Sequence, residues 1–245
     1  MKYLIAMTRQ RVFDYSFVHT LTKSRSLADK IISTYIEKGY VKRIKRNLFC
    51  AVSLESGRVI PSKYEIASAV NDEAFVSHHS ALEYYGYMHQ VYHEVVVSST
   101  RAFQNFEFEG IIYKYKYTRH LKAVTKDKHV KVTTLERTLI DMIDSIMSYD
   151  GLEELLESIK TIPILHETIL IKYLESLNKK NLYNKTGLVL SFFKNDFQLN
   201  ESFFNRLKAN LSDSKKYFTK EKSRLNTYYE EWKLYSYDIE KLIGE

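Results

Sequence analysis

One cysteine, two prolines, seven glycines and one tryptophan in 245 residues put several classes of protein out of reach. A lone Cys50 cannot close an internal disulfide, and no zinc site clustered on cysteines can form around it. Its expected place is that of a small buried apolar residue on a strand. No apolar run approaches the roughly 20 residues needed to span a bilayer. Residues 1–7 are apolar only briefly before Arg9 and Arg11 intervene, which is too little for a signal peptide. The expected compartment is the cytoplasm, with no membrane partner. Internal repeats and long low-complexity linkers are missing as well.

The positive charge is unevenly spread. Residues 1–60 hold 12 Lys and Arg against 4 Asp and Glu, a net of +8, and the remaining 185 residues sum to −1. A small cationic module joined to a near-neutral remainder most often meets a polyanion, because bringing cations to phosphates releases condensed counterions.

Within that module the pattern reads helix, helix, helix, hairpin. Residues 2–11 form a short helix. Asp14 caps a second, which carries Phe17, Val18 and Leu21. Ser24 caps a third, whose Leu27, Ala28, Ile31, Ile32, Tyr35 and Ile36 share one helical face, and Gly39 stands where a left-handed stop belongs. Residues 40–44 and 48–52 are strands around a Lys45-Arg46-Asn47 turn. The order is that of a winged helix-turn-helix, with the third helix as reader and the hairpin as wing.

Residues 61–160 read as an α/β unit and 161–245 as its mostly helical extension. Three reciprocal capping boxes mark helix starts: Ser62 with Glu65, Ser80 with Glu83, and Thr133 with Glu136. Strands are expected at 75–77, 94–98, 106–108 and 111–117, the last alternating polar and apolar residues like a sheet with one wet face. Pro61 and Pro163 lie near the proposed boundaries, and Gly187 reads as a helix break. The fold class is thus α/β (α+β), a winged helix-turn-helix followed by a mixed α/β domain with a helical C-terminal part.

The recognition helix offers Arg25, Ser26, Asp29 and Lys30 at its start and Ser33 a turn further, all off the apolar face, where such helices reach base edges. Lys42, Arg43, Lys45 and Arg46 on the wing are spaced to touch backbone phosphates. Other clusters carry less chemistry. His78, His79, His89 and His93 lack the spacing of a metalloprotease or deaminase site, so no metal is expected. Arg137 and Asp141 pair at i,i+4 on the helix after Thr133, with Glu136 spent on its cap, and no nucleophile or phosphate loop accompanies them. Neither catalysis nor a cofactor is expected. A second basic run, Lys114, Lys116, Arg119, Lys122, Lys126, Lys128 and Lys131, spans the end of the alternating strand and the loop after it and could meet an acidic partner or nucleic acid.

Residues 61–67 (Pro-Ser-Lys-Tyr-Glu-Ile-Ala), 75–86 (Phe-Val-Ser-His-His-Ser-Ala-Leu-Glu-Tyr-Tyr-Gly) and 132–141 (Val-Thr-Thr-Leu-Glu-Arg-Thr-Leu-Ile-Asp) together resemble the AbiEi antitoxin family. Residues 39–49 resemble that family's wing, with Asn47 in place of the expected glycine; Asn tolerates left-handed dihedrals. The likeness covers residues 1–160. It implies a bacterial type IV antitoxin associated with abortive phage infection. Such a protein would bind inverted repeats in its own promoter as double-stranded DNA, repress the operon and counter a nucleotidyltransferase toxin. A surface made of Lys114, Lys116, Arg119, Lys122 and Arg137 would then be the antitoxin face. The rival readings are a ligand-sensing winged-helix regulator and a DNA-targeted, metal-dependent nuclease.

Overall fold

The computed structural model describes residues 2–88 and 90–244, with Ser223 described by its backbone alone. His89 of the histidine cluster lies outside the described residues. The fold is mixed α and β, and it divides into two compact units that do not follow boundaries at 60 and 160. The first comprises residues 1–76, 92–119 and 126–132; the second comprises 77–91, 120–125 and 133–245.

The first unit opens with α1 (Lys2–Gln10), β1 (Val12–Phe13), α2 (Tyr15–Thr22), α3 (Arg25–Glu37), β2 (Val41–Lys45) and β3 (Leu48–Ala51). Helices α2 and α3 start at the caps anticipated for them. The Asp14 carboxylate accepts the Phe17 amide at 2.9 Å, and the Ser24 hydroxyl accepts that of Leu27 at 3.4 Å. These bonds satisfy amide groups that a helix leaves orphaned at its N-terminus. Gly39 takes φ +71° after α3, and Asn47 takes φ +59° in the hairpin turn, accepting the Tyr15 amide on its side chain. Strand β3 sits between β1 and β2, both antiparallel to it. Met7, Phe13, Val18, Ala28, Ile32, Val41, Phe49 and Ala51 fill the small core.

A six-stranded mixed sheet makes up most of the rest of this unit. Its strands are β4 (Phe75–Val76), β5 (Glu94–Ser99), β6 (Phe106–Phe108), β7 (Ile111–Tyr117), β8 (Val124–Asp127) and β9 (Val130–Thr133), in the order β6-β7-β5-β4-β9-β8. The β8–β9 hairpin lies in a stretch that the sequence reads as a loop carrying the basic run. The short helix α4 (Lys63–Ser68) packs on β4 and β5. Its Ser62–Glu65 capping box is complete in both directions. Glu65 is also the anchor of Arg11, whose guanidinium reaches the carboxylate at 2.7 and 3.0 Å and donates to the Ile60 carbonyl at 2.7 Å.

The second unit holds α5 (His79–Tyr85), α6 (Leu135–Ser145), α7 (Tyr149–Thr161), α8 (Glu167–Leu177), α9 (Lys180–Phe192), α10 (Glu201–Lys208) and α11 (Ile239–Gly244). Between α10 and α11 lies a small sheet, β10 (Lys216–Tyr217), β11 (Thr227–Tyr229) and β12 (Leu234–Ser236), in a stretch whose pattern reads as helical. Helix α6 packs on α8 and α9, and α9 on α10, around a core that includes Leu139, Ile143, Leu155, Leu174 and Trp232.

Three local expectations are corrected. His78, at φ +56°, turns the chain so that α5 begins at His79, which puts Ser80 inside the helix and buries it; no Ser80–Glu83 box forms. Thr133 belongs to β9, its hydroxyl 2.6 Å from that of Thr138, so Thr134 takes the cap of α6 one residue later. Glu136 consequently turns away from its own cap and accepts the His166 amide at 3.0 Å. Gly187 does not break a helix. It lies inside α9, where a Cβ would come within 2.0 Å of the Trp232 ring.

Candidate nucleic-acid interface

The surface most suited to a polyanion starts with α3. Ala28 and Ile32 hold that helix to the small core, which leaves Arg25, Ser26, Asp29, Lys30 and Ser33 exposed as one stripe. The start of the helix is fixed from outside as well, because the Tyr15 hydroxyl donates to the Arg25 carbonyl at 3.0 Å. An exposed stripe on a rigid helix can reach base edges, and Arg or Lys in it can donate to guanine.

The β2–β3 hairpin, expected from the sequence to be a wing, carries its four cations in different settings. Strand β2 carries an irregularity between Arg43 and Lys45, so Val41 and Ile44 both point into the core. Lys42 and Lys45 fall on one side and meet the sheet of the same unit. Lys42 is paired with Glu109 at 2.7 Å. The Lys45 ammonium lies 5.0 Å from the Phe103 ring and 5.1 Å from that of Phe106, and burial lowers its pKa. Arg43 and Arg46 are exposed, Arg43 with its guanidinium 5.5 Å from the Phe49 ring and Arg46 in the turn after β2. To contact phosphates, Lys42 must first give up its carboxylate and Lys45 its two aromatic faces. No local signal separates the two lysines from the two arginines, since the partners Phe103, Phe106 and Glu109 come from residues more than fifty positions away.

The five residues proposed as a second surface are divided between the two units. Lys114, Lys116 and Arg119 belong to the first unit, Lys122 and Arg137 to the second. Lys114 is ion-paired with Glu94 across β5 and β7. Lys116, Arg119 and Lys122 are exposed. Arg137 is only 1% exposed and cannot present a surface. Its guanidinium donates to the Lys122 carbonyl at 2.5 Å and to Asp141 at 3.2 Å, and lies 5.1 Å from the Tyr173 ring. The Tyr173 hydroxyl donates to the same Asp141 at 2.7 Å; burial, and then that carboxylate, raise its pKa. This is a structural knot.

The division into units sharpens the charge argument. The first unit contains 20 Lys and Arg against 11 Asp and Glu, a net of +9, while the second nets −2. The sheet thus goes with the cationic module. Among the described residues no three or more His, Cys, Asp or Glu are grouped to hold a metal ion, and no helix is long and apolar enough to cross a membrane. His78 instead places its Nδ1 2.9 Å from the Ser77 hydroxyl.

No family model matches the chain, and no curated protein matches it in sequence. Among solved structures it is similar to the crystal structure of the Rv2827c protein from Mycobacterium tuberculosis, with a TM-score of 0.61 and 13% identity over 99% of this chain and 93% of that one. At that identity the likeness concerns the fold.

Proposed function

We propose that this protein is a DNA-binding antitoxin that represses its own operon through the winged module and neutralises a nucleotidyltransferase toxin. The DNA-binding half is carried by one observation. An exposed α3 stripe with Arg25, Ser26 and Lys30 occurs with the outward wing cations Arg43 and Arg46 in a unit of net charge +9. Sequence would be read by the helix, and position set by the wing. The antitoxin half is supported by the resemblance of residues 61–67, 75–86 and 132–141 to the AbiEi family.

Two measurements test the two halves. Fluorescence anisotropy on DNA from upstream of the protein's own gene should give a log–log salt slope of about −3 to −4 when the four exposed cations Arg25, Lys30, Arg43 and Arg46 each displace about one counterion. A slope near zero overturns DNA binding. Co-expression with the product of the adjacent gene should restore growth that this product alone arrests. Unchanged arrest overturns the antitoxin role and leaves the regulator.

A further inference from the structure

A cleft of about 570 Å³ opens in the first unit, between the wing turn and start of α2 on one side and the end of α4 and the β5–β6 loop on the other. Its volume is that of a small-molecule site, far above what one phosphate occupies. Lys45, Arg46, Arg101 and Lys131 line it, against the carboxylates of Asp14 and Asp72. Neither acid answers this charge fully. Asp14 is committed to the cap of α2, and Asp72 is almost fully exposed, 3.7 Å from Arg101.

The cations are underpaired for their surroundings. Among the described residues Lys45 has aromatic rings and no carboxylate, and Arg46 makes no ion pair. Lys131 donates to the carbonyls of Asp72 at 2.7 Å and Asn71 at 3.4 Å. Two acceptors leave one of its three ammonium hydrogens unused. Among the described residues the Arg101 guanidinium has only Asp72, at 3.7 Å, and Glu73, at 3.9 Å, as ionic partners. The lining is not uniformly polar, since Phe17, Ala69 and Val70 contribute an apolar part. A ligand that satisfies both would carry several negative charges at one end and a flat apolar body at the other.

We propose that this cleft binds a nucleoside di- or triphosphate, with the phosphates on Arg46, Arg101 and Lys131 and the base against Phe17 and Val70. Arg46 is also one of the two outward wing cations. A bound nucleotide would occupy it and place negative charge beside the wing, so nucleotide and operator DNA would weaken each other's binding, reciprocally as linkage requires. The coupling rests on the DNA-binding reading; the nucleotide site does not.

The test uses the full chain and isothermal titration with ATP, GTP and inorganic triphosphate. The expected result is binding of a nucleoside triphosphate at least about tenfold tighter than inorganic triphosphate, abolished by Val70→Trp, which fills the cleft. Arg101→Ala should weaken nucleotide binding about tenfold. Both variants should keep the wild-type far-ultraviolet circular dichroism and, without nucleotide, the wild-type anisotropy on operator DNA. Saturating nucleotide should lower operator affinity at least about fivefold. Absence of nucleotide binding at millimolar concentration overturns the inference, as does equal binding of inorganic triphosphate or a Val70→Trp protein that still binds. Loss of operator binding in Val70→Trp equal to that in Arg46→Ala would make the cleft part of the DNA track and overturn it too. If operator DNA fails to bind the wild type, the DNA reading fails by itself, and the nucleotide titrations still decide the site.

Discussion

At the scale of single residues, burial and pairing decide which charges are available to a partner. Lys42→Ala with Lys45→Ala should leave the salt slope within about half a unit of wild type, whereas Arg43→Ala with Arg46→Ala should flatten it by about 2. Equal effects of the two double variants, measured by anisotropy across a salt series, would mean that the ion pair and aromatic contacts of the lysines open on binding. Arg137 belongs to stability. Arg137→Ala strands Asp141 beside a buried tyrosine and should cost about 3–5 kcal/mol in urea unfolding, with the proposed antitoxicity lost only through the unfolded fraction. Cys50 supplies a pH dependence. Burial, opposed by the Lys42 backbone and reinforced by Glu109, pushes its thiol up to about 12. The folded state therefore disfavours the thiolate, and the unfolded chain gains ionisation first. This contribution to stability is intact below an ordinary thiol pKa near 9 and drains away as pH rises towards 12. Urea midpoints at pH 8 and pH 11 should differ more for the wild type than for Cys50→Ala. At pH 8 the native thiol should also resist a disulfide reagent that labels the unfolded chain at once.

At the scale of elements, local signals were legible where the partner is a near neighbour. Caps at Asp14, Ser24 and Ser62, the stop at Gly39 and the turn at Asn47 all connect residues within a few positions, so the sequence shows them directly. The α3 stripe follows from helical period alone. What escaped reading depends on distant contacts or on a chain reversal. The β8–β9 hairpin hides in a lysine-rich stretch whose strands are short and half exposed. Strands β10 to β12 hide among tyrosines and lysines that alternate poorly. The shift of the α5 and α6 starts by a residue or two comes from the positive φ of His78 and from Thr133 being held in a strand. Gly187 is the clearest case, since a glycine in a helical pattern reads as a break until the Trp232 ring is seen against it. Gly187→Ala should raise helix propensity by up to about 1 kcal/mol locally and still destabilise the protein by about 1–3 kcal/mol, because the ring must move. The sole tryptophan reports this directly: its emission should shift to the red in the variant. Unshifted emission with raised stability would mean that α9 or the ring yields freely.

At the scale of the molecule, the first sixty residues are part of a larger compact unit. Arg11 is tied to Glu65 and Ile60, and Lys42 to Glu109, so the helices, the wing and the six-stranded sheet form one unit. A fragment of residues 61–245 leaves the Glu65 carboxylate without its guanidinium partner. Its sheet loses the ion pair of Glu109 and the lysine over Phe103 and Phe106. It should show depressed thermal stability and bind a hydrophobic dye, while the full chain does neither. A fragment that unfolds as cooperatively as the full chain would restore the boundary at 60. The separation by charge survives this change of boundary and becomes larger, at +9 against −2.

The path of the chain also sets a timetable for synthesis. The backbone passes between the units five times, at 76/77, 91/92, 119/120, 125/126 and 132/133. Strand β4, inside the sheet, has β9 as its parallel neighbour, and β9 is the last strand of that sheet to leave the ribosome. The cationic unit is therefore incomplete until more than half of the chain has emerged, whatever its first helices do earlier. Residues 77–91 meanwhile wait for α6 before they have a core to join. A nascent chain arrested before residue 133 would carry every cation proposed for DNA on an unfinished sheet. Translation through residue 133 is then a precondition for a stable first unit, and premature termination between 60 and 132 should yield a protease-sensitive product in place of a free-standing cationic module.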